Sequence, residues 1–327
     1  MQIRDIAHHL CWPEGPIALA DGSILVVEIE GGTLARVYPD GHVERVAATG
    51  GGPNGAAIGP DGACYVCNAG GDRWVEHGGM RLPVFDPTMY TGGRIERVDL
   101  NTGKVIKLYD ACEGHDLCAP NDLVFDSAGG FWFTDFGKQR GRVADVGAIY
   151  YAQPDGSAIR EMIFPLASPN GIALSPDEST LYFSETFTGR IWHYPLSGPG
   201  QLAAAPAPFD ARRLLYSSPG IRLFDSMAVD ARGYLYVACM IDAGISVISP
   251  RGELESFIPL TDPITTNICF GGPDRRTAFV TLASHGKLIS FEVAEPGHPP
   301  IFDTRCPIGH SVRGVLIAPE SQLRTTQ

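Results

Sequence analysis

The chain has 327 residues, 44% hydrophobic and 19% charged, and its 25 basic and 37 acidic side chains give a net charge of −12. That balance repels nucleic-acid backbones and anionic membrane surfaces, so neither is expected as a partner. Gly and Pro are abundant, at 39 and 26 residues, but show no collagen period and sit in too apolar a chain for disorder, which predicts a folded protein rich in turns.

No apolar run reaches the roughly 18 residues that would span a bilayer. The opening MQIRDIAHHL lacks the basic start and apolar core of a secretory signal, and a cytoplasmic location is expected. Eight cysteines are scattered without a disulfide-dense framework, which predicts reduced thiols.

Along the chain one pattern recurs: a breaker, a short apolar run, an Asp-Gly-like turn and a second β-rich run. Its copies are PEGPIALADGSILVVE (13–28), PNGAAIGPDGACYVCN (53–68), PNDLVFDSAGGFWFTD (120–135), PNGIALSPDESTLYFSE (169–185), FDSMAVDARGYLYVAC (224–239) and TNICFGGPDRRTAFVT (266–281). Asp-Gly turns flanked by Val, Ile, Tyr and Phe runs predict antiparallel hairpins. Further strand-like runs follow, among them TLARVYP, HVERVAA, GRIERVDL, KVIKLYD, GAIYYAQ, AIREMIF, GRIWHYPL, GISVISP, ELESFIPL and KLISFEV.

Six repeats of about four strands with almost no amphipathic helix predict an all-β fold, a six-bladed β-propeller forming one domain over 1–327. Either IAHHL near the N-terminus or SVRGVLIA near the C-terminus is expected to supply the strand that closes the ring. Insertions are expected at 70–92 and about 197–216, and long loops on such scaffolds line or cover the site.

Aligned just before each first strand stand Glu14, Asn54, Asn121, Asn170, Asp225 and Asn267. The first strand of each blade lines the central channel, so this position becomes a ring of side-chain oxygens facing the axis. Oxygen donors without paired His or Cys suit a hard divalent cation such as Ca²⁺ or Mg²⁺. The alternative for any single residue is turn capping. Glu14 and Asp225 favour the cation, because two carboxylates sharing one channel repel unless a cation or a proton neutralises them.

Cys64 and Cys67 form a lone Cys-x-x-Cys within a strand, where alternation sends them to opposite faces and predicts packing rather than metal binding. His77, in the 70–92 insertion with Arg73, Trp74 and Arg81, is a candidate substrate contact. Phosphate-cradling Gly-rich loops, a Gly-x-Ser-x-Gly elbow and basic aromatic stripes are all missing from the sequence.

Glu14 in PEGP, Asn121-Asp122 in PNDLVFD, Asn170 in SPNGIALSPD and Asp225 in FDSMAVDARGYLYVAC resemble the four metal-ligand segments of the senescence-marker-protein-30, gluconolactonase and luciferin-regenerating-enzyme-like propellers. The likeness runs from about residue 12 to 281. It implies one divalent metal in the channel, with Ca²⁺ ahead of Zn²⁺, Mg²⁺ or Mn²⁺, held by Glu14, Asn121, Asn170 and Asp225. It also implies a small-molecule lactone substrate opened by metal-activated water, with Asp225 as general base. Asn54, Asp122, Asn267, Arg73 and His77 are the expected substrate-facing residues. Ala119 departs from the family, whose sugar lactonases carry a basic substrate-binding residue there, and the 70–92 insertion with Arg73 and Arg81 is expected either to supply replacement contacts or to select a different lactone. Two alternatives share the scaffold: a phosphotriesterase resembling diisopropylfluorophosphatase, in which the carboxylate attacks phosphorus, and a non-catalytic propeller with a structural metal.

Overall fold

The computed structural model describes residues 2–204 and 211–302. Among them there is no helix, and so none long and apolar enough to cross a membrane. Strands assemble into six antiparallel sheets, the blades of a six-bladed β-propeller.

Blade 1 comprises Pro13–Ala18, Ile24–Glu28, Thr33–Val37 and Val43–Ala48, and blade 2 Pro53–Ile58, Cys64–Asn68, Arg94–Val98 and Val105–Tyr109. Blade 3 is Pro120–Phe125, Phe131–Asp135, Gly147–Ala152 and Ile159–Leu166; blade 4 is Pro169–Leu174, Thr180–Glu185, Arg190–Gly198 and Arg213–Ser217, with Gln201–Leu202 beside its third strand. Blade 5 is Leu223–Val229, Leu235–Met240, Gly244–Ile248 and Leu254–Pro259. Blade 6 takes Thr265–Gly271, Thr277–Leu282 and Lys287–Glu292, and Arg4–Ala7 pairs with the last of these.

The N-terminal segment therefore closes the ring, three residues earlier than IAHHL suggests at its far end, while SVRGVLIA lies outside the described residues. The stretch 197–216 is not wholly an insertion, because Arg213–Ser217 pairs with Arg190–Gly198 as the fourth strand of blade 4.

The first strands touch one another in cyclic order around the axis, each against its two neighbours. The apolar core is divided among the blade interfaces. Tyr65, Cys67, Phe131 and Phe133 pack between blades 2 and 3; Trp132, Ile149 and Phe183 pack between blades 3 and 4. Strand alternation does this, since successive residues of a sheet face opposite neighbours. Cys64 accordingly faces blade 1 and Cys67 blade 3, and both are buried free thiols. The seven cysteines within the described residues are all free.

All three extra hairpins project from the end of the ring where the first strands begin, here the upper end. They are Arg73–His77 with Met80–Val84, Ala111–Cys112 with His115–Asp116, and Gln139–Arg140 with Val143–Ala144. At the lower end a channel cavity of about 200 Å³ is lined by Ile17, Phe125, Leu174 and Phe270 and by His298–Phe302.

Candidate metal centre and substrate site

The anchors lie inside the first strands, where pairing with the second strand skips. Register shifts fall between Glu14 and Ile17, Pro53 and Ala56, Pro120 and Leu123, Pro169 and Ile172, and Phe224 and Met227. Such a bulge re-aims a side chain out of the sheet's alternation, and here the same irregularity recurs around the axis.

The space for these bulges comes from glycine. A Cβ on Gly171 would stand 2.6 Å from Ser226 Cα, and one on Gly15, whose φ is +52°, would stand 2.8 Å from the Asn54 carbonyl oxygen. Neither contact is with a flexible side chain, so the backbone must move. Gly171→Ala should cost about 2 kcal/mol of stability, read as a lower urea midpoint with unchanged slope.

Glu14, Asn121, Asn170 and Asp225 are each at least nine-tenths buried, as are Asp122 and Asn267. Glu14 Oε2 accepts hydrogen bonds from Asn267 Nδ2 at 2.7 Å and from the Gly15 N–H, while Glu14 Oε1 has no partner. Asn170 Nδ2 donates to Thr186 Oγ1 at 3.0 Å, which turns its Oδ1 away without a partner; Asn121 Oδ1 is equally unpartnered. Buried polar atoms are nearly always bonded, so three orphaned oxygens on residues of one ring mark a place shaped for something that binds oxygen.

The carboxylates fit the same description. Among the described residues none of Glu14, Asp122 and Asp225 is paired with a Lys, Arg or His. Burial, then the charges of Asp225 and Asp122, push the Glu14 carboxyl well above its ordinary range. Burial pushes Asp225 up to about 8 despite a hydrogen bond with Asn170, and Asp122 up to about 7. Three carboxylates thus resist ionising together, a state that a divalent cation relieves. Among the described residues no three His, Cys, Asp or Glu side chains gather as a metal cage, and the oxygens that Asn121 and Asn170 turn into the ring are carboxamide oxygens.

One register assignment changes. Thr265 pairs with Leu282 as Pro13 pairs with Glu28, so Thr266 is level with Glu14, and Asn267 stands level with Gly15 and Asp122. The side chains agree: Asn267 Oδ1 accepts from the Ile268 N–H at 2.7 Å, as Asp122 Oδ1 does from Leu123 at 2.9 Å. Asn267 is therefore hydrogen-bonded to Glu14 rather than level with it. Asn54 is half-buried at its expected level.

Two sets of residues that the repeat pattern did not single out hold this ring. Hydroxyls on second strands, or just past their ends, tie neighbouring first strands together: Thr134 Oγ1 donates to the Asn170 carbonyl at 2.6 Å, Ser184 Oγ to the Asp225 carbonyl at 2.9 Å, and Thr186 Oγ1 to the Phe224 carbonyl at 2.7 Å. Polar residues closing second strands collect loop N–H groups. Asp135 accepts from Cys118 and Ala119, both at 2.7 Å, and from Gly137 at 3.0 Å, which fixes the turn delivering Asn121. The signal lay in the apolar strands ending FTD and FSE.

The 70–92 insertion crosses the upper end from blade 1 to blade 3. Trp12 Nε1 donates to the Arg81 carbonyl at 2.9 Å, and the Arg81 guanidinium reaches Glu30. On the far side Lys138 Nζ meets Asp72 Oδ2 at 2.7 Å, and Tyr90 Oη donates to the Cys118 carbonyl at 2.7 Å. Arg73 is ion-paired with Asp86 at 3.4 Å and His77 is exposed beside the Gly78-Gly79 turn; neither is hydrogen-bonded or ion-paired to an anchor.

Residues 12–284 match the family described as SMP-30/Gluconolactonase/LRE-like region. A gluconolactonase of Zymomonas mobilis is 28% identical over 306 residues, covering 86% of this chain and 79% of that protein. The lactonase drp35 of Staphylococcus saprophyticus is 33% identical over 235 residues, covering 71% of this chain and 64% of that one. The solved structure of a gluconolactonase from Xanthomonas campestris superposes with a TM-score of 0.69 at 25% identity, over 90% of this chain and 89% of that chain. With these six blades and this ring of channel oxygens, the chain belongs to the SMP-30/gluconolactonase/LRE-like family.

Proposed function

We propose that the protein hydrolyses lactones with a divalent cation, Ca²⁺ first among candidates, held by Glu14, Asn121, Asn170 and Asp225. The observation supporting this reading most directly is the set of three unpartnered buried oxygens, Glu14 Oε1, Asn121 Oδ1 and Asn170 Oδ1, beside carboxylates that lack a counter-charge. The lactonase relatives supply the substrate class. When bound, such a cation polarises the lactone carbonyl and lowers the pKa of a coordinated water.

The chain's own residues do the rest. Asp225 takes the proton of the attacking water as the carbon–oxygen bond forms, and that proton is then available to the ring oxygen as it leaves, so that lactone and water become one hydroxy acid. Asn170 keeps the Asp225 carboxylate oriented through their hydrogen bond. Asn267 holds Glu14 in place, and Asp122, which lines the lower cavity, adds its charge to the carboxylates around the cation.

The test is a pH-indicator screen over a panel of γ- and δ-lactones, with the cation removed by chelator and then restored. Acid release that disappears on chelation and returns with Ca²⁺ is expected. Turnover of phosphotriesters but of no lactone would favour the phosphotriesterase alternative, and lactone turnover indifferent to chelator would overturn the role of the cation.

A further inference from the structure

Between the upper loops of blades 3 and 4 lies a second cavity, of about 660 Å³. Phe136 and Val146 line it from blade 3, Leu166 from that blade's outer strand, and Phe187 and Trp192 from blade 4. Phe136 and Phe187 meet edge to face with centroids 5.5 Å apart. Phe187 nonetheless stays 61% exposed and Val146 55% exposed. Apolar side chains grouped at a rim in this way mark a surface that something else covers.

The cavity adjoins the anchor ring through the backbone. The Phe187 N–H donates to Ser168 Oγ at 3.1 Å, and Ser168 precedes Asn170 by two residues. Thr186, beside Phe187, holds the Asn170 carboxamide. None of the anchors lines the cavity, and Phe187 is linked to Asn170 through its chain neighbour Thr186 and through Ser168.

Most polar groups around the cavity are already engaged, the exposed Gln139 and Arg190 at its rim being the exceptions. Glu185 accepts from the Ala167 N–H, Thr188 Oγ1 and Trp192 Nε1, and Ser168 Oγ donates to the Ala167 carbonyl. Lys138 is held by Asp72, the Arg212 guanidinium lies 5.2 Å over the Trp192 ring, and Arg190 is exposed at the rim. A polyhydroxylated ring would bring hydroxyls to walls that offer them few free partners, whereas an alkyl chain would cover Phe187 and Val146.

We infer that this cavity receives an alkyl or aryl substituent on the lactone, so the preferred substrates are apolar-substituted lactones rather than sugar lactones. The inference rests on the hydrolase reading above and names its substrate class.

Three δ-lactones test it: bare δ-valerolactone, its pentyl-substituted homologue δ-decalactone, and glucono-δ-lactone. The expected result is a kcat/KM at least about tenfold higher for δ-decalactone than for glucono-δ-lactone, with Phe187→Ala lowering the ratio of δ-decalactone to δ-valerolactone by about tenfold. Phe187 is exposed, so this variant should fold. A preference for the sugar lactone, or a ratio unmoved by Phe187→Ala, overturns the inference. If none of the three is hydrolysed, Trp192 fluorescence decides. Quenching by δ-decalactone that Trp192→Phe and Phe187→Ala both remove would keep the apolar site and overturn only the hydrolase reading; its absence would overturn both.

Discussion

Asp225→Asn is expected to lower kcat/KM for lactone hydrolysis by roughly three orders of magnitude while leaving a folded protein. The substitution keeps an oxygen toward the channel and the size of the side chain, but removes the proton acceptor. Burial raises the Asp225 carboxyl to about 8 while the channel lacks a counter-charge, and a bound cation would lower it again and leave the carboxylate able to accept the proton. Glu14→Gln makes the contrast. That side chain also loses charge, yet it is assigned only to holding the cation, so its defect should be recovered at saturating Ca²⁺, whereas that of Asp225→Asn should not. Steady-state kinetics over a Ca²⁺ series, alongside metal content by atomic emission, separates the two. Near wild-type turnover in Asp225→Asn would remove the base assignment.

Chelation should lower the melting temperature strongly at pH 8 and only weakly at pH 5. A cation present at about 100 times its Kd stabilises the folded state by about 2.7 kcal/mol, a shift on the order of 5 °C for a chain of this size. The pH dependence follows from the carboxylates. Asp122 and Asp225 are raised to about 7 and about 8 when the channel holds no counter-charge, against an unfolded Asp value of about 3.9. The folded state then binds more protons than the unfolded state between these limits, so stability falls as pH rises through the window from about 4 to about 8. Glu14 shifts in the same direction. The chelated protein should therefore regain much of its stability on acidification to pH 5, where protons do the work of the cation. Scanning calorimetry with and without chelator at the two pH values measures this, and a chelator effect equal at both, or larger at pH 5, would contradict a carboxylate-lined cation site.

The stability of the site and its chemistry are linked through the same few atoms. Packing three carboxylates near one axis costs folding free energy, and the strands tolerate it because hydroxyls such as Thr134 and Ser184 fix neighbouring first strands to each other independently of any cation. Loss of the cation should accordingly soften the ring without dismantling the blades, whose apolar cores lie between sheets and away from the channel.

Much of this was legible in the amino-acid order because hairpins are local objects. Asp-Gly turns between β-rich runs set each two-stranded unit within a few residues, and repetition of the unit puts Glu14, Asn121, Asn170 and Asp225 at one topological level. Alternation likewise sent Cys64 and Cys67 to different interfaces. What depended on distant parts of the chain meeting was not legible. Asn267 looked equivalent to the other anchors by residue type, but strand pairing places it one residue further along. The closing strand had two candidates of similar character, and Arg4–Ala7 became the outer strand of blade 6 only because the ring brings it beside Lys287–Glu292. The cavity at Phe136 and Phe187 is built where successive loops of two neighbouring blades meet. Local turn and strand propensities determined the repeat and its candidate ligands, whereas bulge register, ring closure and the shape of the mouth arise from packing between blades, which no single segment encodes.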